Sequence, residues 1–90
     1  MKWSVYALRS VSRNYIYVGL SLDVERRVRQ HDEGREKTTR PYRPFRLILL
    51  ERFETRAEAR RREVYLKSGC GKEFLKRISQ QTREKNKAEE

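Results

Sequence analysis

Trp3-Ser4-Val5-Tyr6-Ala7-Leu8-Arg9 mixes apolar and polar positions with aromatic and β-branched enrichment, the pattern of a strand. Ser10 to Asn14 is polar turn material, and Tyr15-Ile16-Tyr17-Val18-Gly19-Leu20 reads as a second strand, so the two should pair as a hairpin. Alternation puts Tyr15, Tyr17 and Gly19 on one face of that strand and Ile16, Val18 and Leu20 on the other. A helix is predicted from about Asp23 to His31, capped by Ser21 or Asp23 and stopped by Gly34. Val24, Arg27, Val28 and His31 recur at i, i+3, i+4 and i+7, which is one helix face. An arginine and the only histidine therefore share the apolar side, at the edge of the core and beside the sheet.

Gly34 to Pro44 forms a connection rich in Arg, Lys and Thr that carries both prolines, and loops of this length are usually functional or mobile. Arg46 to Phe53 predicts a third strand, apolar enough to be covered on both faces. Thr55-Arg56-Ala57-Glu58 matches a capping box, so a second helix should open at Thr55 and run to about Ser68, where Gly69-Cys70-Gly71 breaks it. Lys72 to Ser79 reads as a third, short helix with Phe74, Leu75 and Ile78 on its apolar side. From about Gln81 the chain holds no apolar residue larger than Ala88, the composition of a disordered tail.

Ninety residues, 36% hydrophobic and 40% charged, allow one domain with a small core. No window approaches the roughly 20 apolar residues of a membrane span. No secretory segment follows Met1-Lys2-Trp3-Ser4, and the single Cys70 cannot form an internal disulfide. The expectation is a soluble cytoplasmic protein with a domain over residues 1–80 and a polar tail over 81–90. Charge adds a functional signal: 23 Lys and Arg against 13 Asp and Glu give +10. Charges of the last eight residues cancel, so the whole excess belongs to residues 1–82, where Arg outnumbers Lys. Arg forks onto phosphate in a bidentate way, which points to a polyanion partner, nucleic acid above all. A membrane surface is a poorer fit, because no basic amphipathic helix with bulky apolar residues is present.

Tyr6, Tyr17, Gly19, Arg27, His31, Glu63 and Lys67 are the residues whose types suit phosphate chemistry. Phosphodiester hydrolysis needs a nucleophilic water, a base or positioning group for it, and positive charge on the developing oxyanion. A hard metal held by one carboxylate and several waters can supply charge and help activate the water.

In this order and spacing the residues resemble the GIY-YIG nuclease superfamily, in particular its small stand-alone members. The first signature reads Ser4-Val5-Tyr6 and the second Tyr17-Val18-Gly19, with ten residues between the two tyrosines. Asp23 to His31 resembles the family helix that carries an Arg and a His, and Ala59 to Gly69 the later helix that carries a metal-binding glutamate. The likeness spans about residues 3–78. It implies an α+β fold, a three-stranded antiparallel sheet flanked by helices, and a divalent-metal endonuclease with Mg²⁺ or Mn²⁺ as cofactor. The expected substrate is DNA, with RNA the alternative, and repair or structure-selective cleavage is the expected setting. By the same resemblance Tyr6 activates or orients the attacking water, and Tyr17 helps to hold that water or a phosphate oxygen. Gly19 closes its motif where a side chain would crowd the approaching backbone. Arg27 stabilises the phosphorane, His31 relays a proton or holds a tyrosine, and Glu63 is the metal ligand. Lys67, one turn beyond Glu63, is a candidate phosphate contact. The likeliest substrate contacts are Arg40 and Arg43 in the basic loop, and Arg60 and Arg61 on the second helix. Departures from the pattern are Ser4 for Gly, Val5 and Val18 for Ile, and the lack of the later Asn, since Asn86 falls in the predicted tail.

Each residue also has a plainer reading. Tyr6 and Tyr17 suit cross-strand packing, Arg27 an ion pair with Glu63 or Glu25, His31 a helix C-terminus, and Glu63 an i,i+4 pair with Lys67. Two further functions fit the charge and the missing Asn: a basic nucleic-acid-binding module that cuts poorly, and a catalytic subunit whose protein partner chooses the substrate.

Overall fold

A computed structural model describes the backbone of residues 2–89 and the side chains of residues 2–80. Its elements are β1 (Trp3–Ser10), β2 (Ile16–Ser21), α1 (Val24–Asp32), a single 3₁₀ turn (Arg40–Tyr42), β3 (Phe45–Phe53), α2 (Arg56–Lys67) and α3 (Gly69–Glu89). The strands form one antiparallel sheet in the order β2-β1-β3, so the chain has the α+β fold expected of it.

Central β1 is buried on both faces, with Val5, Tyr6, Ala7 and Leu8 all at or below 1% exposure. Its period of two divides the molecule. Val5 and Ala7 join Val18, Ala59, Leu66 and Leu75 in an aliphatic core beneath α2 and α3. Tyr6 and Leu8 face the other way, into a cluster with Phe45, Tyr15, Tyr17, Tyr42, Val24 and Val28. The face assignments read from β2 therefore hold. Between Ala7 and Leu8 the β3 register slips from Leu49 to Leu47, and Ile48 is the extra residue of a bulge.

Local chemistry sets the helix ends. The Asp23 carboxylate accepts from the Arg26 N–H at 3.2 Å to cap α1, and Gly34 follows its end with φ +78°. Thr55 caps α2 as the sequence pattern predicts: its Oγ1 accepts from the Glu58 N–H at 3.2 Å and donates to the Glu58 carboxylate at 2.9 Å.

Three expectations need correction. The break between α2 and α3 is Ser68 alone, whose extended backbone (ψ 169°) turns the chain, and Gly69-Cys70-Gly71 opens α3. Gly71 lies where α3 crosses closest to α2, and a Cβ there would collide with the Leu66 backbone and the Tyr65 carbonyl. The third helix thus starts before Lys72 and its backbone continues to Glu89. The tail expected from residue 81 lies outside the residues whose side chains are described. Finally, β3 is not covered on both faces. Leu47 and Leu50 stay 42% and 43% exposed, because only nine-residue α1 and the following connection pack on that side of an edge strand. Among the described residues, no helix is long and apolar enough to cross a membrane.

Candidate active site

Tyr6, Tyr17 and His31 converge on the α1 face of the sheet. Register places Tyr6 directly opposite Gly19, and the missing side chain makes room for the tyrosine. A Cβ at Gly19 would stand 2.7 Å from the Tyr6 hydroxyl and 2.9 Å from the Tyr17 ring. The motif glycine is therefore needed by the two tyrosines themselves rather than by an approaching backbone.

His31 is fully buried on the inner face of α1, as its i+7 position relative to Val24 predicts. Its Nε2 lies 3.3 Å from the Tyr6 hydroxyl and its Nδ1 lies 2.9 Å from Thr39 Oγ1. The Thr39 hydroxyl donates to the Glu36 carbonyl at 3.4 Å, which leaves its oxygen to accept from His31 Nδ1–H. On that assignment Nε2 is unprotonated and accepts the Tyr6 proton. The ring centroids of Tyr17 and His31 are 4.6 Å apart, those of Tyr6 and Tyr17 6.1 Å, and Phe45 closes the far side of His31 edge-on.

Electrostatics keep this chain of bonds neutral at rest. Burial, reinforced by neighbouring Tyr17 and opposed by Arg27, pushes the Tyr6 phenol up to about 12. Burial and the Arg27 charge lower the His31 imidazole below its ordinary 6.5, against weaker pulls from Glu36 and Asp32. Arg27 is half-buried, donating to Gln30 Oε1 at 2.8 Å and to the Glu36 carboxylate at 3.3 Å. Burial opposes its charge, but hydrogen bonding to Tyr6 and Glu36 outweighs that and holds its pKa above the ordinary value. The ion-pair partner of Arg27 is thus Glu36, not Glu63 or Glu25.

Glu63 belongs to a second group, on α2. Its side chain is 8% exposed, with Oε1 bonded to Arg60 and Oε2 3.3 Å from Lys67 Nζ. Lys67 and Tyr17 line one groove at the β2 edge, which brings the two groups to neighbouring positions on the molecule. Arg60 and Arg61 are both exposed on α2, and Arg60 also donates to the Glu63 carboxylate. Arg40 and Arg43 are exposed but donate to the carbonyls of Gly34 and Glu33 just beyond α1, at 2.7 and 3.1 Å.

Thr39 and Glu36 have no precedent in the sequence reading. The only signal in the chain is an uncommonly long, polar connection, which says nothing about which hydroxyl turns inward. Folded, that connection is tied down: Tyr42 stacks on Tyr15 at 3.9 Å, Ser10 donates to the Tyr42 carbonyl, and Thr39 is 1% exposed.

The chain is similar to several known proteins. Residues 2–74 match the GIY-YIG catalytic domain. A UPF0213 protein of Staphylococcus saprophyticus subsp. saprophyticus is 36% identical over 66 residues, covering 72% of this chain and 80% of its own. One from Natronomonas pharaonis is 42% identical over 65 residues, 71% of this chain and 75% of its own. Among solved structures, the solution NMR structure of a UPF0213 protein from Bacillus halodurans superimposes with a TM-score of 0.53 at 36% identity, covering 87% of this chain and 85% of that one. With its paired tyrosine motifs on adjacent strands and most of its length matched, the chain belongs to the GIY-YIG catalytic domain family.

Proposed function

We propose that this protein is an endonuclease that hydrolyses phosphodiester bonds in DNA with the help of Mg²⁺ or Mn²⁺. The observation that supports it best is the hydrogen-bonded series Tyr6, His31, Thr39, with Arg27 acting on the same Tyr6 hydroxyl. A phenol held near 12 is a poor source of ready phenolate. It works as a base only if its own proton leaves as the water's proton arrives. Neutral His31, with Nε2 facing the hydroxyl and Nδ1–H fixed by Thr39, takes that proton. Water oxygen then bonds to phosphorus while one P–O ester bond breaks, and the departing oxygen takes a proton from solvent, leaving a phosphate on one strand end and a hydroxyl on the other. Arg27 supplies the positive charge for the intervening oxyanion, and Tyr17 orients the water or a phosphate oxygen beside it.

Glu63 is the buried carboxylate that would hold a divalent ion, and the ion would have to displace the two groups now on its oxygens, Arg60 and Lys67, both more than half exposed. Among the described residues, no three His, Cys, Asp or Glu side chains gather to hold a metal. A single carboxylate, with water and substrate phosphate as further ligands, is an arrangement that Mg²⁺ accepts. When bound, the ion would supply Lewis-acid charge to a phosphate oxygen.

The test is cleavage of labelled single-stranded, duplex, flap and four-way-junction DNA in Mg²⁺, Mn²⁺ or EDTA. Arg27→Ala and Glu63→Ala should each lower the rate at least about 100-fold. Folded variants that cut as fast as the parent would sink the reading. Salt-sensitive binding by the parent without product in any metal would favour a binding module or a partner-dependent subunit.

A further inference from the structure

Two grooves on the described surface differ in charge. The one between α1 and β3 carries both signs, Asp23 and Glu25 against Lys2, Arg29 and Arg52. The other, about 530 Å³, lies between the β2 edge and the α2–α3 junction, and no carboxylate lines it. Lys67 at the end of α2 and Lys72 and Lys76 on α3 form one wall. The other is the β2 edge, where Ile16 and Val18 turn toward the helices and Tyr15 and Tyr17, whose rings belong to the cluster on the α1 face, line the rim. Lys72 and Lys76 stand one helical turn apart and so project from the same side of α3. Two of the three lysines have a carboxylate outside the groove, Glu63 for Lys67 at 3.3 Å and exposed Glu73 for Lys76 at 3.7 Å.

Tyr17 also belongs to the Tyr6–His31 ring cluster, so the groove begins where the candidate active site ends. Its two walls suit different parts of one ligand. Lysines attract phosphates whatever the strand's pairing. The half-buried aromatic and aliphatic wall is of no use to a duplex, whose base faces are already stacked on one another. An unpaired strand presents phosphates and bare base faces together, and that combination is what aromatic-plus-basic grooves bind. The parallel stack on Tyr42 already holds the Tyr15 ring in place.

We propose that this groove binds an unpaired stretch of the substrate strand next to the bond that is cut, with Lys67, Lys72 and Lys76 on its phosphates and Tyr15 and Tyr17 against its bases. The position relative to the cut rests on the nuclease reading, but the binding itself does not require cleavage.

Fluorescence anisotropy of the full chain on a labelled single-stranded oligonucleotide and on a blunt duplex, across a salt series, tests it. Lys72→Ala/Lys76→Ala removes two exposed groove cations. On the single strand the salt slope of log affinity should shrink by about 1.4, the value for two lost phosphate contacts. The duplex slope should change less. Arg29→Ala/Arg52→Ala removes the same charge from the other groove and should leave the single-strand slope unchanged. Equal changes in the two double variants would mean that net charge alone acts, and a larger change on the duplex would overturn the assignment to an unpaired strand. Matching thermal melts of both variants and the parent keep folding out of the comparison. A parent chain that cuts no DNA while the slopes separate would defeat the nuclease reading and leave the groove standing. Cutting with no slope difference would do the reverse.

Discussion

The two faces of the sheet share strand β1 yet differ in what their side chains do. Beneath α2 and α3, Val5, Ala7, Val18, Ala59, Leu66 and Leu75 are aliphatic or small, and they contribute to stability through area and shape. Beneath α1 and the 3₁₀ turn, the equally buried Tyr6, His31 and Thr39 carry polar atoms that must be matched one by one. A strand with period two can serve both, because neighbouring residues never see the same environment. The comparison teaches that stability and chemistry are separable here by parity of residue number along β1, although the residues are adjacent in the chain.

Substitutions should divide along that line. Leu66→Ala, on the aliphatic face, should have the largest effect on folding, about 2–5 kcal/mol in a denaturant melt, with the site geometry of any folded molecules retained. An equally large loss of stability from polar changes on the α1 face would erase the distinction. Next comes Gly19→Ala. Its methyl would meet the Tyr6 hydroxyl and the Tyr17 ring, so one tyrosine must move at a cost of about 1–3 kcal/mol. Cleavage should fall by far more than that stability loss explains, and unchanged cleavage would show that the tyrosine positions do not matter.

The smallest effect on folding is expected from Thr39→Val, about 1 kcal/mol for leaving His31 Nδ1–H without its acceptor. Its signature is spectroscopic: ¹⁵N NMR of the imidazole should report one Nδ1–H tautomer in the parent and a mixture in the variant. The same imidazole sets a pH dependence. Its folded-state value lies below the ordinary 6.5, so the unfolded chain takes up that proton first as pH falls. The contribution of neutral His31 to stability is complete above 6.5 and disappears as pH falls through the lowered folded value. Cleavage should fall in the same direction, since protonated Nε2 cannot accept from Tyr6. His31→Gln should remove the step in stability, and a step that persisted would belong to another group.

Much of this architecture is legible in one dimension because it depends on local rules. Alternation in β2 separated the tyrosines from the aliphatic residues, the i, i+3, i+4, i+7 series sent Arg27 and His31 inward, and Thr55 with Glu58 marked the start of α2. What could not be read was every feature that joins distant segments. The same Arg-rich stretch of α2 divides three ways: Arg60 to Glu63, Arg61 to solvent, and Arg62 across to Glu51 of β3 at 2.7 Å and over the Phe74 ring. Identical side chains in a row carry no signal of which neighbour the fold will supply. Exposure of Leu47 and Leu50 has the same origin, since the apolar run of β3 does not state how much helix packs against it.

The sequence by itself determined most of the elements, the two-sided character of β2, and the placement of Arg27 and His31 on the inner side of α1. These follow from periodicity, and periodicity is a property of neighbours in the chain. Only the tertiary structure decided that Thr39, eight residues beyond His31 in an irregular connection, turns inward to set the imidazole tautomer, and that Glu36 holds Arg27. It also decided that Lys67, Lys72 and Lys76 line one groove with Tyr17. The reason is that a hydrogen bond or a charged wall depends on direction and distance in space, and the chain's connectivity constrains neither once a loop or a helix crossing intervenes.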